Sequence, residues 1–233
     1  MQGPSIGKAA IITGAARRVG RALAIFLAAK HGYDIVAHYN TSHCDALSLQ
    51  ETVHQYGRSC IITQADLRDH SSLEPLIEHA FNSFPHCNVL INNASVFRAN
   101  DFAHCTSTDL DENFLLHLQC PLLLTQSFAR KCNIGKVVNM IDAGITRQRT
   151  KYFPYLLSKR ALADFTKLAA PELFPAVCIN AVCPTIIPDH EVDDMDSLKK
   201  LDWGPKLKGL LDIVESLVNF DSSRSGEVLF MDD

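Results

Sequence analysis

The segment Thr13-Gly14-Ala15-Ala16-Arg17-Arg18-Val19-Gly20 decides the fold class of this chain. It joins an apolar run at 9–13 to a helical pattern of apolar residues at 18–31. A glycine-rich turn between a strand and a helix is typical of a βαβ unit, in which Gly14 permits the tight turn and Gly20 lets the helix pack closely on the sheet. The beginning of such a helix presents N–H groups and a positive dipole end to a pyrophosphate.

Strand and helix patterns alternate along the rest of the chain. Apolar runs predict strands at 34–39, 60–66, 88–94, 136–142, 177–183 and 227–231, and helical spacing predicts helices at 45–56, 70–84, 108–131, 154–169 and about 205–219. This alternation predicts right-handed βαβ crossovers. We therefore expect one α/β domain over residues 1–233, a Rossmann-type doubly wound parallel sheet of about seven strands with helices on both faces.

Composition limits the classes of function. A net charge of -4 with scattered basic residues gives no reason to expect nucleic acid or an anionic membrane as partner. The chain starts without a signal-peptide pattern, and its apolar runs are far shorter than the roughly 20 residues that span a bilayer. The eight cysteines form no CxxC pair. We expect reduced, mostly buried cysteines, no metal site and a cytoplasmic protein.

The domain divides by function into two halves. We expect residues from about 1 to 135 to form the cofactor half, and residues from about 136 to 233 to form the catalytic and substrate half. Within the second half, the segment 185–201 has no regular pattern and carries five acidic residues. Because it follows the carboxyl end of a strand, one interpretation is a lid over the substrate. The alternative is a solvated loop.

Arginines flank the expected phosphate site. Arg18 stands where dinucleotide-binding turns usually have their middle glycine, and a guanidinium at the phosphates makes charge-assisted hydrogen bonds. The alternative is that Arg17 and Arg18 are exposed residues at the start of the helix. Cations are unfavourable at a helix N-terminus without an anion nearby, which favours the phosphate-binding interpretation.

The end of the second strand discriminates between the two nicotinamide cofactors. An enzyme that uses NAD usually has an acidic residue there to bond the ribose 2′-OH. This chain has none, and its residues are His38, Tyr39, Asn40, Thr41 and Ser42. Together with Arg17 they suit a 2′-phosphate, so we expect NADPH rather than NADH. After the third strand, Asp66 and Leu67 are expected at the adenine, and the alternative for Asp66 is a helix N-cap.

Tyr155 and Lys159 are the first candidate catalytic pair. They are four residues apart, which places both on one face of a helix. A lysine ammonium beside a phenol stabilises the phenolate, so we expect Lys159 to lower the pKa of Tyr155 and make it a usable proton donor. Lys159 also suits the nicotinamide ribose. Tyr152 is a poorer candidate because residue 156 is leucine.

These motifs together resemble the short-chain dehydrogenase/reductase family. Thr13-Gly14…Arg18…Gly20, Asn92-Asn93-Ala94-Ser95, Tyr155…Lys159 and Pro184 follow in the family's order, and the resemblance covers about residues 9–231. It implies that Asn93, Ala94, Ser95 and Pro184 contact the cofactor. It also implies a homodimer or homotetramer.

Within that family the sequence looks most like the pteridine reductases, especially the dihydromonapterin reductase type. Four features carry this resemblance: Arg18 in the glycine turn, the run Asn92–Phe97, Asp142 in place of the usual serine, and His117 where the family usually has a catalytic asparagine. The resemblance implies reduction of a dihydropterin to a tetrahydropterin. Departures are Thr185 after Pro184 and a C-terminus without the usual glycine pair.

Reduction of a C=N bond needs hydride at carbon and a proton at nitrogen. Asp142 beside Tyr155 would accept from ring N–H groups and relay a proton, and Phe97 would stack on the pterin. Arg18 would reach both the cofactor phosphate and the pterin, and Ser95 would bond the pterin edge. The catalytic candidates are therefore Tyr155, Lys159, Asp142 and His117.

Each of these assignments has a structural alternative. Phe97 would be ordinary core, Asp142 a cap of the following turn, and His117 a hydrogen-bonded helix histidine. Two other functions also stay open: reduction of another carbonyl substrate such as a 3-oxoacyl thioester, and a non-catalytic NADP(H)-binding sensor.

Overall fold

Seven parallel strands form one sheet in the computed structural model, which describes residues 7–147 and 151–231. The strands are β1 (Ala9–Ile12), β2 (Asp34–Tyr39), β3 (Cys60–Gln64), β4 (Cys87–Asn92), β5 (Gly135–Met140), β6 (Val177–Cys183) and β7 (Val228–Phe230). Their order across the sheet is β3-β2-β1-β4-β5-β6-β7. The predicted Rossmann-type sheet is confirmed.

Nine α-helices connect or follow these strands in the described residues. They are α1 (Arg18–His31), α2 (His43–Gln55), α3 (Leu73–Ser83), α4 (Ser107–Phe114), α5 (Cys120–Lys131), α6 (Phe153–Leu173), α7 (Asp189–Val192), α8 (Met195–Lys200) and α9 (Pro205–Val218). Short 3-10 turns precede α3 at His70–Ser72 and follow β5 at Ala143–Thr146.

Alternate residues of each strand point to opposite faces of the sheet. In β1, Ala10 and Ile12 pack with α1, α2 and α9, whereas Ala9 and Ile11 pack with α3 and α5 on the other face. Every residue of β1, β2, β5 and β6 is buried. Helices therefore cover both faces, which explains why these strands are almost continuous apolar runs.

The strand order reverses beside β1. The chain runs outward from β1 through β2 to β3 and then returns to place β4 on the other side of β1. At such a point, connections leave the carboxyl ends of two neighbouring strands in opposite directions and open a crevice. The glycine turn after β1 and the segment after β4 border this crevice.

The predicted continuous helix at 108–131 is wrong in its middle. A π-helical turn, Leu115–Gln119, separates α4 from α5. Pro121 stands in the first turn of α5 and has no N–H to donate to the carbonyl four residues earlier. The wider turn accommodates this missing hydrogen bond, and it contains His117.

The segment 185–201 is also more ordered than its sequence indicates, since it contains α7 and α8. Asp194 caps α8 by accepting hydrogen bonds from the N–H groups of Asp196 and Ser197. Glu191 is buried and accepts from the N–H of Leu207 in the first turn of α9. The segment is therefore not an irregular loop, since a buried carboxylate fastens α7 to α9, although its other four acidic residues are exposed.

All eight cysteines are free thiols, and six of them are buried, which confirms the prediction for them. Within the part of the chain that the structure describes, no helix combines the length and apolarity needed to cross a bilayer. The same residues contain no cluster of three or more histidine, cysteine or acidic side chains able to hold a metal ion.

Candidate active site

The glycine turn after β1 is tightly braced. Gly14 has a φ of +64°, and its N–H donates to Nδ1 of His38 at 3.0 Å. The side-chain nitrogen Nδ2 of Asn93 donates to the carbonyls of Thr13 and Gly14 at 2.9 and 3.2 Å. A Cβ on Gly20 would lie 2.2 Å from the carbonyl oxygen of Gly14, so the start of α1 packs against the turn in a way that only glycine allows.

His38 borders the crevice and supports the glycine turn, and its contact with a cofactor phosphate stays a prediction. Its side chain is buried, and its Nε2 lies 3.0 Å from the carbonyl of Ala65. Because Gly14 donates to Nδ1, the ring proton is on Nε2 and donates to Ala65. Burial lowers the pKa of His38 to about 4, so the ring is neutral.

A cleft of about 670 Å³ opens where β1 and β4 end. Of the residues predicted to bind cofactor or substrate, those lining it are Gly14, Arg17, Arg18, Gly20, His38, Asn40, Asp66, Leu67, Asn93, Ala94, Ser95 and Phe97. Helix α1 begins at this cleft without a capping side chain and without an acidic residue in its first turn. Its N–H groups and dipole are therefore available to a phosphate, and these residues fit a dinucleotide.

Other predicted cofactor residues lie outside the described lining of this cleft: Tyr39, Thr41, Ser42, Lys159 and Pro184. The prediction for Tyr39 needs correction, since its ring is buried and its hydroxyl bonds Nδ1 of His43 at 2.6 Å. For Thr41, Ser42 and Pro184 a cofactor contact stays a prediction.

Asp66 lies in the cleft but does not cap a helix. Its carboxylate accepts from the guanidinium of Arg68 at 2.7 and 2.9 Å, and hydrogen bonds from Arg68 lower the pKa of Asp66. The capping residue is Asp69, which accepts from the N–H of Ser71. Sequence reasoning missed Arg68 and Arg98, which also line the cleft.

Arg18 contacts carboxylates in this structure. Its guanidinium lies 2.6 Å from Asp189 and 3.3 Å from Asp193, both in the segment 185–201. Its backbone has a φ of +52°, in the left-handed region that favours glycine. Arg18 is therefore held between the glycine turn and the predicted lid.

Tyr155 and Asp142 form the centre of the catalytic half. The phenol of Tyr155 donates to Oδ2 of Asp142 at 3.0 Å, while Oδ1 accepts from the N–H of Gly144 at 2.6 Å. Asp142 thus caps the 3-10 turn after β5, as its structural alternative predicts, and it also binds the phenol; its role toward a substrate stays a prediction. The carbonyl of Pro184 accepts from the N–H of Ala143 and fixes the same turn from β6.

Lys159 is fully buried beneath Tyr155. Its Nζ donates to the carbonyl of Met140 at 2.7 Å and lies 5.8 Å from the centre of the Tyr155 ring. Burial lowers the pKa of Lys159 to about 8, and the charge of Asp142 opposes this change.

The expected fall in the pKa of Tyr155 is wrong for this structure. Burial, followed by the negative charge of Asp142 and the hydrogen bond to it, raises the pKa of the phenol well above its ordinary value. A hydrogen bond from Ser95 opposes the rise. The spacing of Tyr155 and Lys159 is visible in the sequence, whereas only the fold brings the carboxylate of Asp142 within 3.0 Å of the phenol.

His117 is buried between the segment after β4 and α6. Its Nε2 lies 3.1 Å from Oγ of Ser95 and accepts from the N–H of Val96 at 3.2 Å, and its Nδ1 lies 2.9 Å from Oγ of Ser158. Burial and the charge of Lys159 lower the pKa of His117 to about 2. It is a neutral, hydrogen-bonded histidine.

Phe97 stands at the mouth of the cleft and is 55% exposed, so its interpretation as core is wrong. Its ring stacks on Tyr152 at 4.3 Å with an interplanar angle of 18° and meets Tyr155 edge-on at 4.8 Å. Tyr152 is a site residue that the sequence did not predict. The contact joins residues 55 positions apart, and helical spacing carries no signal for it.

The chain matches the family model described as "short chain dehydrogenase" over residues 8–195. It belongs to the short chain dehydrogenase family. This dehydrogenase is an oxidoreductase whose seven-stranded sheet, glycine turn and Tyr155–Lys159 pair match the order expected from its sequence.

Named relatives of this short chain dehydrogenase differ in activity. A 3-oxoacyl-[acyl-carrier-protein] reductase of Aquifex aeolicus is 29% identical over 78% of this chain and 74% of its own. The solved structure of FolM alternative dihydrofolate reductase 1 from Brucella suis, in complex with NADP, is 26% identical with a TM-score of 0.84, covering 97% and 94% of the chains. A short chain dehydrogenase of Burkholderia cenocepacia with NADP is also 26% identical, with a TM-score of 0.86 and coverage of 97% and 96%.

The two neutral histidines predict how the stability of this dehydrogenase depends on pH. The pKa of both His38 and His117 is lowered on folding, so their contribution is fully present above the unfolded pKa of about 6.5 and falls as the pH drops below it. We expect the free energy of unfolding to fall by about 2 kcal/mol per histidine between about pH 7 and about pH 5. Urea unfolding at both pH values measures this.

Single variants separate the histidines from the other titrating groups. His38→Gln should remove about half of the pH-dependent change in the free energy of unfolding. His79→Gln replaces an exposed histidine on α3 and should leave the change as it is. An unchanged pH dependence in His38→Gln would contradict a neutral, buried His38.

Proposed function

We propose that this dehydrogenase uses NADPH to reduce a dihydropterin to a tetrahydropterin. One observation carries the proposal: the phenol of Tyr155 is hydrogen-bonded to the carboxylate of Asp142. Asp142 also lines a small pocket of about 190 Å³ together with Thr185, whose buried hydroxyl has no hydrogen-bond partner among the described residues. A carboxylate and an unpartnered hydroxyl suit a heterocycle rich in N–H groups.

The cofactor assignment rests on the cleft at the end of β1 and β4. Its phosphates would lie at the start of α1, with Arg17 and Asn40 toward a 2′-phosphate, and Lys159 would hold the nicotinamide ribose. NADPH supplies the hydride when it is bound. The absence of an acidic residue in 38–42 supports NADPH over NADH, and structural neighbours solved with NADP support the same choice.

Tyr155 donates the proton in this proposal. Its raised pKa makes it a weak acid toward the oxygen of a reduced carbonyl. Hydride addition to a C=N bond leaves a more strongly basic nitrogen, which a weak acid still protonates. Asp142 then accepts from ring N–H groups, holds the substrate toward Tyr155 and relays the proton.

The aromatic pair at the cleft mouth supports a flat substrate. Phe97 presents an exposed face, and its contact with Tyr152 shows the near-parallel geometry that a planar ring adopts on it. We propose that the pterin stacks on Phe97, with Ser95 and Arg18 at its edge. To make this contact, Arg18 would leave its ion pairs with Asp189 and Asp193. The segment 185–201 would then act as the substrate lid.

Reduction of a 3-oxoacyl thioester is the second candidate, because curated relatives with that activity are 28–29% identical to this chain. The site argues against it. Asp142 would face the negative charge that develops on the substrate oxygen and repel it. A non-catalytic NADP(H) sensor is the third candidate, which the intact Tyr155 and Lys159 oppose.

We further propose that the protein is a homodimer or homotetramer. Large apolar side chains are exposed on and beside α6, with Leu168 74% and Phe102 75% exposed. A second copy of the chain is the occupant that suits such a face. Light scattering tests the proposal, and a monomer at every protein concentration would contradict it.

The direct test of the function is product identification. Purified protein is incubated with NADPH and a dihydropterin, and the products are separated without oxygen. Tetrahydropterin formed in step with NADPH loss is the expected result. NADPH binding without any dihydropterin turnover would overturn the proposed substrate and leave the family assignment intact.

Replacing Asp142 by serine tests its role. Serine also caps a turn, so we expect the fold to persist and dihydropterin turnover to fall about a hundredfold, with NADPH affinity within about threefold. Asp69→Ser is the matched control, because Asp69 also caps a 3-10 turn but lies at the start of α3. Steady-state kinetics and fluorescence titration measure both effects. Unchanged turnover in Asp142→Ser would remove Asp142 from the mechanism.

A further inference from the structure

One chain of hydrogen bonds connects the cleft wall after β4 to the helix that carries Tyr155. It runs from Ser95 and Val96 to His117 and from there to Ser158, whose Oγ donates to the carbonyl of Tyr155 at 2.7 Å. His117 and Ser158 are 1% and 0% exposed. Neither side chain lines the cleft, so both act on it through their neighbours.

The geometry fixes the ring proton of His117 and the hydroxyl proton of Ser158. A backbone N–H can only donate, so Nε2 of His117 must accept from Val96. The ring proton is therefore on Nδ1 and donates to Ser158. The Ser158 hydroxyl then gives its own proton to the backbone carbonyl of Tyr155. All polar atoms are satisfied with a neutral imidazole, and the chain ends at a carbonyl that has no proton to pass on.

The groups around the imidazole keep it neutral. The Tyr155 ring meets it edge-on at 5.3 Å, and the Lys159 ammonium on the same helix repels a second positive charge. A proton on Nε2 would also face the N–H of Val96 and break that hydrogen bond. His117 therefore does not gain and lose protons during turnover.

We propose that His117 and Ser158 are positioning residues that set the distance between the Ser95–Val96 wall and Tyr155, and that His117 is not part of a proton relay. The Ser95 hydroxyl lies 3.1 Å from Nε2 of His117 and also bonds the phenol of Tyr155, so this wall meets the catalytic tyrosine at Ser95. The effect of this spacing on dihydropterin binding rests on the proposed function.

The π-helical turn makes this arrangement feasible. The turn lies between α4 and α5 and packs closely against α6, and it directs the ring of His117 toward α6. The imidazole of His117 reaches both partners, because Nε2 accepts from Val96 at one end and Nδ1 donates to Ser158 at the other. A glutamine is the closest substitute, because its amide also offers one acceptor and donors.

The first test needs no substrate. Nitrogen-15 NMR of the labelled full-length protein distinguishes the two neutral imidazole tautomers and the charged ring. We expect the His117 signals of an Nδ1-protonated neutral ring, unchanged down to about pH 5. A ring protonated on Nε2, or one that becomes charged between about pH 7 and about pH 5, would overturn the proposal.

Variants supply the second test. We expect His117→Ala to raise the KM for dihydropterin and the Kd for NADPH about tenfold or more, because the N–H of Val96 loses its acceptor and Ser158 loses its donor. The pH–rate profile should keep its shape, and His117→Gln should recover much of the loss. Ser158→Ala should act in the same direction, whereas Ser127→Ala, a buried serine on α5, should change neither constant.

Other outcomes would contradict the positioning role. A loss of kcat with unchanged KM and a displaced pH–rate profile in His117→Ala would assign a proton relay instead. If the KM and Kd rise equally in His117→Gln and His117→Ala, the role proposed for the acceptor at Nε2 and the donor at Nδ1 is wrong. The NADPH and NMR results stand even if no dihydropterin is turned over, so failure of the proposed substrate is separable from failure of this inference.

Discussion

Tyr155→Phe should lower kcat for dihydropterin reduction by about a thousandfold. The substitution removes the hydroxyl that donates to Asp142 and leaves the buried ring in place beside Lys159 and His117. The Kd for NADPH should stay within about threefold, since the phenol does not line the cofactor cleft. Single-turnover kinetics with pre-bound NADPH measures the chemical step without product release.

Tyr152→Phe is the matched control. It makes the same chemical change three residues earlier and preserves the stacking contact with Phe97. Its kcat should stay within about threefold of the wild type. Comparable losses in both variants would mean that the aromatic cluster, rather than the Tyr155 proton, limits turnover.

Gly20→Ala should have the second largest effect. The new methyl group would lie 2.2 Å from the Gly14 carbonyl and 2.6 Å from the amide nitrogen of Asn93, which are both parts of the braced turn. We expect a loss of about 2–3 kcal/mol in the free energy of unfolding and about a hundredfold loss in kcat/KM for NADPH, because the turn must move away from α1. Chemical denaturation and steady-state kinetics measure the two losses.

Gly209→Ala separates this close approach from a general effect of replacing a helical glycine. Gly209 lies in α9, where a Cβ meets Met231 at an ordinary 3.6 Å. This variant should be as stable as the wild type or more stable by up to about 1 kcal/mol. Wild-type NADPH affinity in Gly20→Ala would contradict the placement of the phosphates at this turn.

The sequence predicts the sheet and its helices well because one physical signal repeats. Buried parallel strands are continuous apolar runs, and the predicted bounds of α1, β2 and β6 match the structure. The glycine turn is also predicted correctly, because the tight turn at Gly14 and the close helix approach at Gly20 both need glycine.

The parts that the sequence did not predict depend on distant contacts. The ion pairs of Arg18 reach residues more than 170 positions away, and the stack of Phe97 on Tyr152 joins two loops. The raised pKa of Tyr155 arises from burial and then from the carboxylate of Asp142, and only the fold brings about either. Periodicity and motif spacing describe one element at a time, so such contacts stay invisible to them.

The most direct test of the proposed function compares kcat/KM for a dihydropterin with kcat/KM for an acetoacetyl thioester, in the wild type and in Asp142→Ser. We predict that the wild type prefers the dihydropterin and that the serine variant loses most of this preference. A wild type that turns over only the thioester would contradict the assignment of Asp142 and favour a 3-oxoacyl reductase.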